Sequence, residues 1–208
     1  MSFTNPSPSD TAHDPAVIPS IAVDDLAPAQ PVRSGPGARL AGFAALIAGV
    51  LSLVSGVLQI IFPQDEDPAI DPRTRVILVM FTVTLWALAV VFLGLARHAR
   101  SRWGAVVAGA GTVLLTTGTI TSAINGIDLD FFPIVAMAAN ALWLIGAIGL
   151  TVSLARARRV PLWLALPLPL VQVVLVFFSQ LGGGVLAGLY LVLLGSVFVA
   201  GRIASRRG

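Results

Sequence analysis

The chain has 208 residues, of which 56% are hydrophobic and only 11% charged, with a formal net charge of +3. A soluble domain carries about 25% charged residues, so this chain cannot coat a water-facing surface of ordinary size, and its mean hydropathy of +0.91 directs it to a membrane. Cysteine is absent, which excludes disulfides, thiolate metal sites, iron–sulfur clusters and dithiol relays. All 13 basic residues are arginine. They gather at the ends of apolar runs, a placement that membrane topology explains and nucleic-acid binding does not.

Met1 to Ala38 is rich in Pro, Ser, Ala and Asp, with Arg33 its only arginine and no helical period. Such a segment cannot bury a core, and the sequence predicts a disordered, solvated tail over 1–38. No basic stretch followed by an apolar one opens the chain, so no cleavable signal peptide is expected. A few apolar residues in Val17 to Leu26 leave a short binding motif as the alternative to a plain tail.

Six apolar runs follow: Leu40 to Phe62, Val76 to Ala96, Trp103 to Ile124, Phe131 to Ala155, Pro161 to Gln180 and Val185 to Gly201. Crossing the hydrocarbon core takes about 20 apolar residues, and none of the six contains Asp, Glu, Arg or His. The runs are continuous, whereas barrel strands alternate in hydropathy. The expected fold is therefore all-α: one polytopic domain over 39–208, with six transmembrane helices in a bundle. The loops between them are too short to hold a soluble catalytic domain.

Charge fixes the orientation. Six spans put Arg33, Arg39, Arg97, Arg100, Arg102, Arg156, Arg158, Arg159, Arg202, Arg206 and Arg207 on one side. Arg73 and Arg75 fall on the other, with Asp65, Glu66, Asp67, Asp71, Asp128 and Asp130. Arginine accumulates on the cytoplasmic side of bacterial inner membranes, so both termini are expected in the cytoplasm. Trp103 and Trp163 then begin their helices at the inner interface, where indole rings favour the headgroup level. Leu95 to Arg100 and Leu154 to Arg159 close the second and fourth helices alike, and each is followed by a tryptophan. Three duplicated hairpins would produce this pattern, and so would the charge rule alone.

Helices in lipid associate through close contact and hydrogen bonds, because the surrounding tails are as apolar as leucine. Gly42, Ala45, Gly49, Ser52 and Gly56 form a seam of small residues at alternating spacings of three and four on the first helix. Gly104, Ala108, Gly111 and Gly118 mark the third helix, and Gly188 and Gly195 the sixth, with Gly184 just ahead. Packing within the chain is the default expectation; a second copy or another membrane protein are the alternatives. In the fifth helix Pro167 and Pro169 remove interior hydrogen bonds and predict a kink or local unwinding.

Intramembrane charge marks ion paths, proton relays and acid catalysts, and the runs carry none. The two histidines, His13 and His98, lie outside them. No acid, base, thiol or metal-ligand set is therefore expected within the membrane, and no enzyme and no cofactor. Neutral polar groups do converge in depth. At about 1.5 Å per residue, Thr116, Asn140 and Gln172 lie within roughly 5 Å of the bilayer centre. Thr112, Thr116 and Thr119 share a helix face, and Trp86 and Trp143 each bring an indole N–H to mid-membrane. Two readings stand: interhelical hydrogen bonding that fixes the bundle, and a ligand site for a small neutral or lipid-like molecule built from these residues and the Pro167–Pro169 kink. The outer acids read as a solvated face in preference to a cation site, and the inner arginines as contacts for anionic lipid headgroups.

Arg39-Leu-Ala-Gly42, Leu95-Ala-Arg-His-Ala-Arg100 and Arg158-Arg-Val-Pro-Leu-Trp163 give the chain its family look. Over Arg39 to Arg202 it resembles the small six-helix integral membrane proteins of unknown function common in high-GC bacteria. The resemblance implies a fold and a plasma-membrane location, and no activity. The expected role is a non-enzymatic scaffold, accessory subunit or regulator acting through helix packing, with a carrier or receptor for a neutral ligand as the alternative. A membrane-protein partner or a second copy is the expected associate, and no nucleic acid.

Overall fold

The computed structural model describes residues 36–62 and 71–201, all within one compact unit, Pro31–Gly208. The expected tail up to residue 35, the acidic run Asp65–Glu66–Asp67, and Arg202, Arg206 and Arg207 lie outside the described residues. Every regular element among those described is helical: α1 (Pro36–Ile61), α2 (Pro72–Leu95), α3 (Trp103–Asn125), α4 (Phe132–Ala157), α5 (Leu162–Ala165), α6 (Leu168–Phe177), a 3₁₀ turn at Ser179–Leu181, and α7 (Gly183–Val199). The helices α1 to α4 are long and apolar enough to cross a membrane.

The fifth and sixth runs fall short of that length, for a local reason. Pro167 caps α6 and Pro169 sits in its first turn, where a missing N–H costs nothing. The run therefore breaks into a four-residue α5 and a ten-residue α6. Gly182 then turns the chain with φ +87°, a conformation open to glycine and strained for other residues. The 17 residues of α7 span about 25 Å at 1.5 Å per residue.

Helix starts also differ from the hydropathy boundaries. Asp71 caps α2, accepting the Thr74 N–H at 2.6 Å, and Pro72 follows at the first position. Arg73 and Arg75 thus belong to the first turn of the helix, with Arg73 stacked 5.0 Å over the Phe62 ring.

The helices α1 to α4 each pack on the next, α4 also meets α5 and α6, α6 meets α7, and α7 returns to α1. Helix ends meet accordingly. The start of α3 meets the end of α4, where Trp103 covers Gly149, and His98 after α2 packs edge-on against Phe198 of α7 at 5.7 Å. One end of the helices therefore carries Arg39, Arg97, Arg100, Arg102, Arg156, Arg158 and Arg159 and no acid among the described residues. The other carries Asp71, Asp128 and Asp130 with Arg73 and Arg75. Large apolar side chains such as Leu40, Phe43, Ile47 and Val50 of α1 face outward.

Two glycine contacts bring backbones together. A Cβ at Gly49 would stand 2.9 Å from the Gly188 carbonyl, one at Gly56 2.8 Å from Gly184 C, and one at Gly42 3.1 Å from the Gly195 carbonyl. Ala45 and Ser52 are buried along the same helix. In the α3–α4 pair, Gly104 and Ala108 lie against Gly146, and a Cβ on Gly111 would meet the Trp143 N at 2.5 Å. Gly118 makes room for the Phe132 ring.

Candidate functional site

Of the mid-span polar residues, Thr112, Thr116, Thr119 and Gln172 are buried and Asn140 is half-buried, and they form no single group. Thr112, Thr116 and Thr119 line the buried side of α3. Each hydroxyl donates to its own helix, to Gly109 O at 2.7 Å, Val113 O at 2.6 Å and Thr116 O at 3.1 Å respectively. Such back-bonding satisfies a hydroxyl without an outside partner. Only Thr119 reaches another helix, sharing a 2.7 Å hydrogen bond with Thr82 of α2.

Asn140 and Gln172 do meet. The Gln172 side-chain amide donates to the Asn140 side-chain carbonyl and, at 3.3 Å, to the Asn140 backbone carbonyl. This joins α6 to α4. Among the described residues no hydrogen bond links that pair to the threonine row. The two tryptophans also separate. Trp86 is 53% exposed, whereas Trp143 is wholly buried, edge-on to Phe92 with centroids 6.1 Å apart. Buried Trp143 Nε1, Gln172 Oε1 and Ser52 Oγ have no hydrogen-bond partner among the described residues.

The proline break has its own polar neighbours, which the sequence reading missed. Pro169 has no N–H to offer the carbonyl four residues back, that of Ala165. The Thr151 hydroxyl of α4 donates to it at 3.1 Å. Beside it, the Leu164 carbonyl accepts from the Tyr190 hydroxyl of α7 at 2.6 Å. In lipid a freed carbonyl must find such a donor. That rule is the signal that could have pointed to Thr151 and to Tyr190, the single tyrosine. Pro167 and Pro169 thereby start a helix held by α4 and α7.

At the helix ends, Ser153 of α4 clasps the α2–α3 connection. Its hydroxyl accepts the Ser101 N–H at 2.7 Å and donates to the Ser101 carbonyl at 3.2 Å. Burial, with the charges of Arg159 and Arg97, holds the His98 imidazole below its ordinary pKa. Hydrogen bonds from the Thr74 side chain and N–H hold the Asp71 carboxyl below the usual carboxylate range. Asp128 accepts from the Ser122 hydroxyl. No group of three or more His, Cys, Asp or Glu residues able to hold a metal occurs among the described residues.

The chain was compared with protein-family models, curated proteins and solved structures, and none of them matches it.

Proposed function

We propose that this chain is a six-span protein of a bacterial plasma membrane, with both termini in the cytoplasm, acting without chemistry of its own as a scaffold, accessory subunit or regulator of another membrane component. Its fifth crossing is the broken α5–α6 pair and its sixth is α7. The orientation rests on the contrast between the arginine end and the aspartate end. Exclusive use of arginine with abundant Ala, Gly and Pro supports a high-GC bacterial source.

The observation that carries the functional reading is where the intramembrane polar side chains go. Gln172 binds Asn140, Thr119 binds Thr82, and Thr151 and Tyr190 bind the carbonyls of the proline break. Polar groups spent on neighbouring helices specify a shape, and a shape is what a scaffold offers. The experiment is affinity purification of the tagged full chain from native membranes in mild detergent, with mass spectrometry and particle-mass determination. A stoichiometric membrane partner is the expected result. Recovery of the chain alone would overturn the accessory role.

A second reading is a carrier or receptor for a small neutral ligand near mid-membrane. The unpartnered indole donor of Trp143 and amide acceptor of Gln172 favour it, since a ligand hydroxyl would satisfy either. Asn140→Leu separates the two: it lowers stability if the pair only fixes the helices, and abolishes ligand response at unchanged stability if the pair serves a pocket.

A further inference from the structure

A cleft of about 640 Å³ opens beside the α3–α4 pair at the arginine end, lined by Arg100, Arg156, Trp103, Ile145, Ile148 and Val152 among others. Its volume is that of an ordinary small-molecule site. The three aliphatics recur at i, i+3 and i+7, one stripe of α4, and each is 43–55% exposed. Arg156 stands in the last turn of α4, about 16 Å along the axis from Ile145. Arg100 lies in the connection beyond α2. The cleft thus runs from cationic at the helix ends to apolar within the span, and no acid lines it.

Its walls are set in advance. Besides the Ser101 contacts, the Arg100 N–H donates to the Ser153 carbonyl at 3.5 Å, so the backbone carrying Arg100 is tied to α4. The Trp103 ring lies over Gly149, where a Cβ would come within 2.5 Å of it.

We propose that this cleft is a binding site for one anionic phospholipid, its phosphate held by Arg100 and Arg156 and an acyl chain laid along Ile145, Ile148 and Val152. A soluble phosphate would engage the arginines and leave the stripe unused; a zwitterionic lipid would fill the stripe and leave the cations less well matched. An anionic lipid satisfies both halves. The site deepens the plasma-membrane reading above, and rests on it for placing the arginine end at the headgroup level.

The test uses the full chain carrying Trp86→Phe and Trp163→Phe, so that exposed Trp103 reports and buried Trp143 serves as reference. It is reconstituted in vesicles of dibrominated phosphatidylglycerol or dibrominated phosphatidylcholine, and quenching gives the relative affinity at Trp103. Phosphatidylglycerol is expected to be preferred. Arg100→Gln with Arg156→Gln should lower that preference about five-fold per arginine, the effect of roughly 1 kcal/mol for a basic residue at a membrane surface. Arg158→Gln with Arg159→Gln removes the same charge from the same end outside the cleft, and should lower the preference at Trp103 far less. Equal losses in the two double variants, or no preference in the parent, would overturn the site. Displacement by inorganic phosphate would overturn it too, because the stripe would then play no part. Quenching does not depend on which way the chain is inserted, so a wrong orientation leaves this result intact and is detected separately by labelling of the two ends.

Discussion

Where α1 meets α7, glycines at 42, 49 and 56 bring one backbone against the other; where α6 meets α4, and α5 meets α4 and α7, side chains reach across to carbonyls and amides. Both contacts hold helices together in a solvent that offers no hydrophobic drive between them. They differ in what they demand of the sequence. The glycine contact needs the absence of side chains on both partners, in register. The polar contact needs a donor at the depth of an acceptor, such as the Asn140 amide or a carbonyl that a proline has freed. The first is therefore intolerant of added volume, and the second is intolerant of a lost hydrogen bond but indifferent to modest changes in size.

The largest effect should come from adding volume to the first contact. Gly49→Leu or Gly56→Val would press a side chain into the backbone around Gly188 or Gly184, and overpacking of this kind costs about 3 kcal/mol. Thermal unfolding in detergent should show a strong loss, whereas Gly109→Ala, where a Cβ meets nothing within 4 Å, should be near neutral. Equal effects at the three positions would break the distinction.

The polar contact should respond more mildly and in a way that identifies its cause. Thr151→Val leaves the Ala165 carbonyl without its donor and should cost about 1 kcal/mol, within the range of single intramembrane hydrogen bonds. Pro169→Ala returns an N–H to that stretch of chain, so Thr151→Val should cost less in that background. A double-mutant cycle with no coupling would show that Thr151 does not compensate for the proline.

A smaller effect separates the helix ends by pH. The His98 pKa is depressed in the folded chain, so unfolding takes up a proton, and its contribution is complete above about pH 6.5 and lost as pH falls. His98→Gln should flatten the acid-side fall in thermal stability near that pH. The depressed Asp71 carboxyl acts in the same direction in a lower window, as pH falls through the carboxylate range, so the two separate on the pH axis. A fall near pH 6.5 that persists in His98→Gln would assign it elsewhere.

Small-residue spacing is a strong signal because it is written in consecutive turns of one helix. Gly42, Gly49 and Gly56 can be read from the sequence as one stripe, and Gly188 and Gly195 as another. Nothing in either stripe names its partner, since the same glycines would suit a second copy of the chain. Ala139, whose carbonyl faces Gly111, recurs with Gly146 and Ser153 at seven-residue spacing on α4, and that stripe was missed among the many other small residues of the helix. Depth was legible too, and it brought Asn140 and Gln172 to one level, but depth alone gives no azimuth. Thr112 and Thr116 share that level and turn their hydroxyls to their own helix. The proline break was legible at Pro167 and Pro169, while its donors were not, because Thr151 and Tyr190 lie far away in sequence and look like ordinary helix residues.

The natural absence of cysteine makes the central claim, six crossings with the arginine end in the cytoplasm, directly measurable. Single cysteines at Asp130, Leu181, Arg159 and Ala200 would each be the only thiol in the chain. In intact cells a membrane-impermeant maleimide is expected to label Asp130→Cys and Leu181→Cys, and to reach Arg159→Cys and Ala200→Cys only after permeabilisation. Labelling of Arg159→Cys in intact cells would reverse the orientation. Labelling of Leu181→Cys and Ala200→Cys under the same conditions would remove α7 as a crossing and contradict the six-span reading.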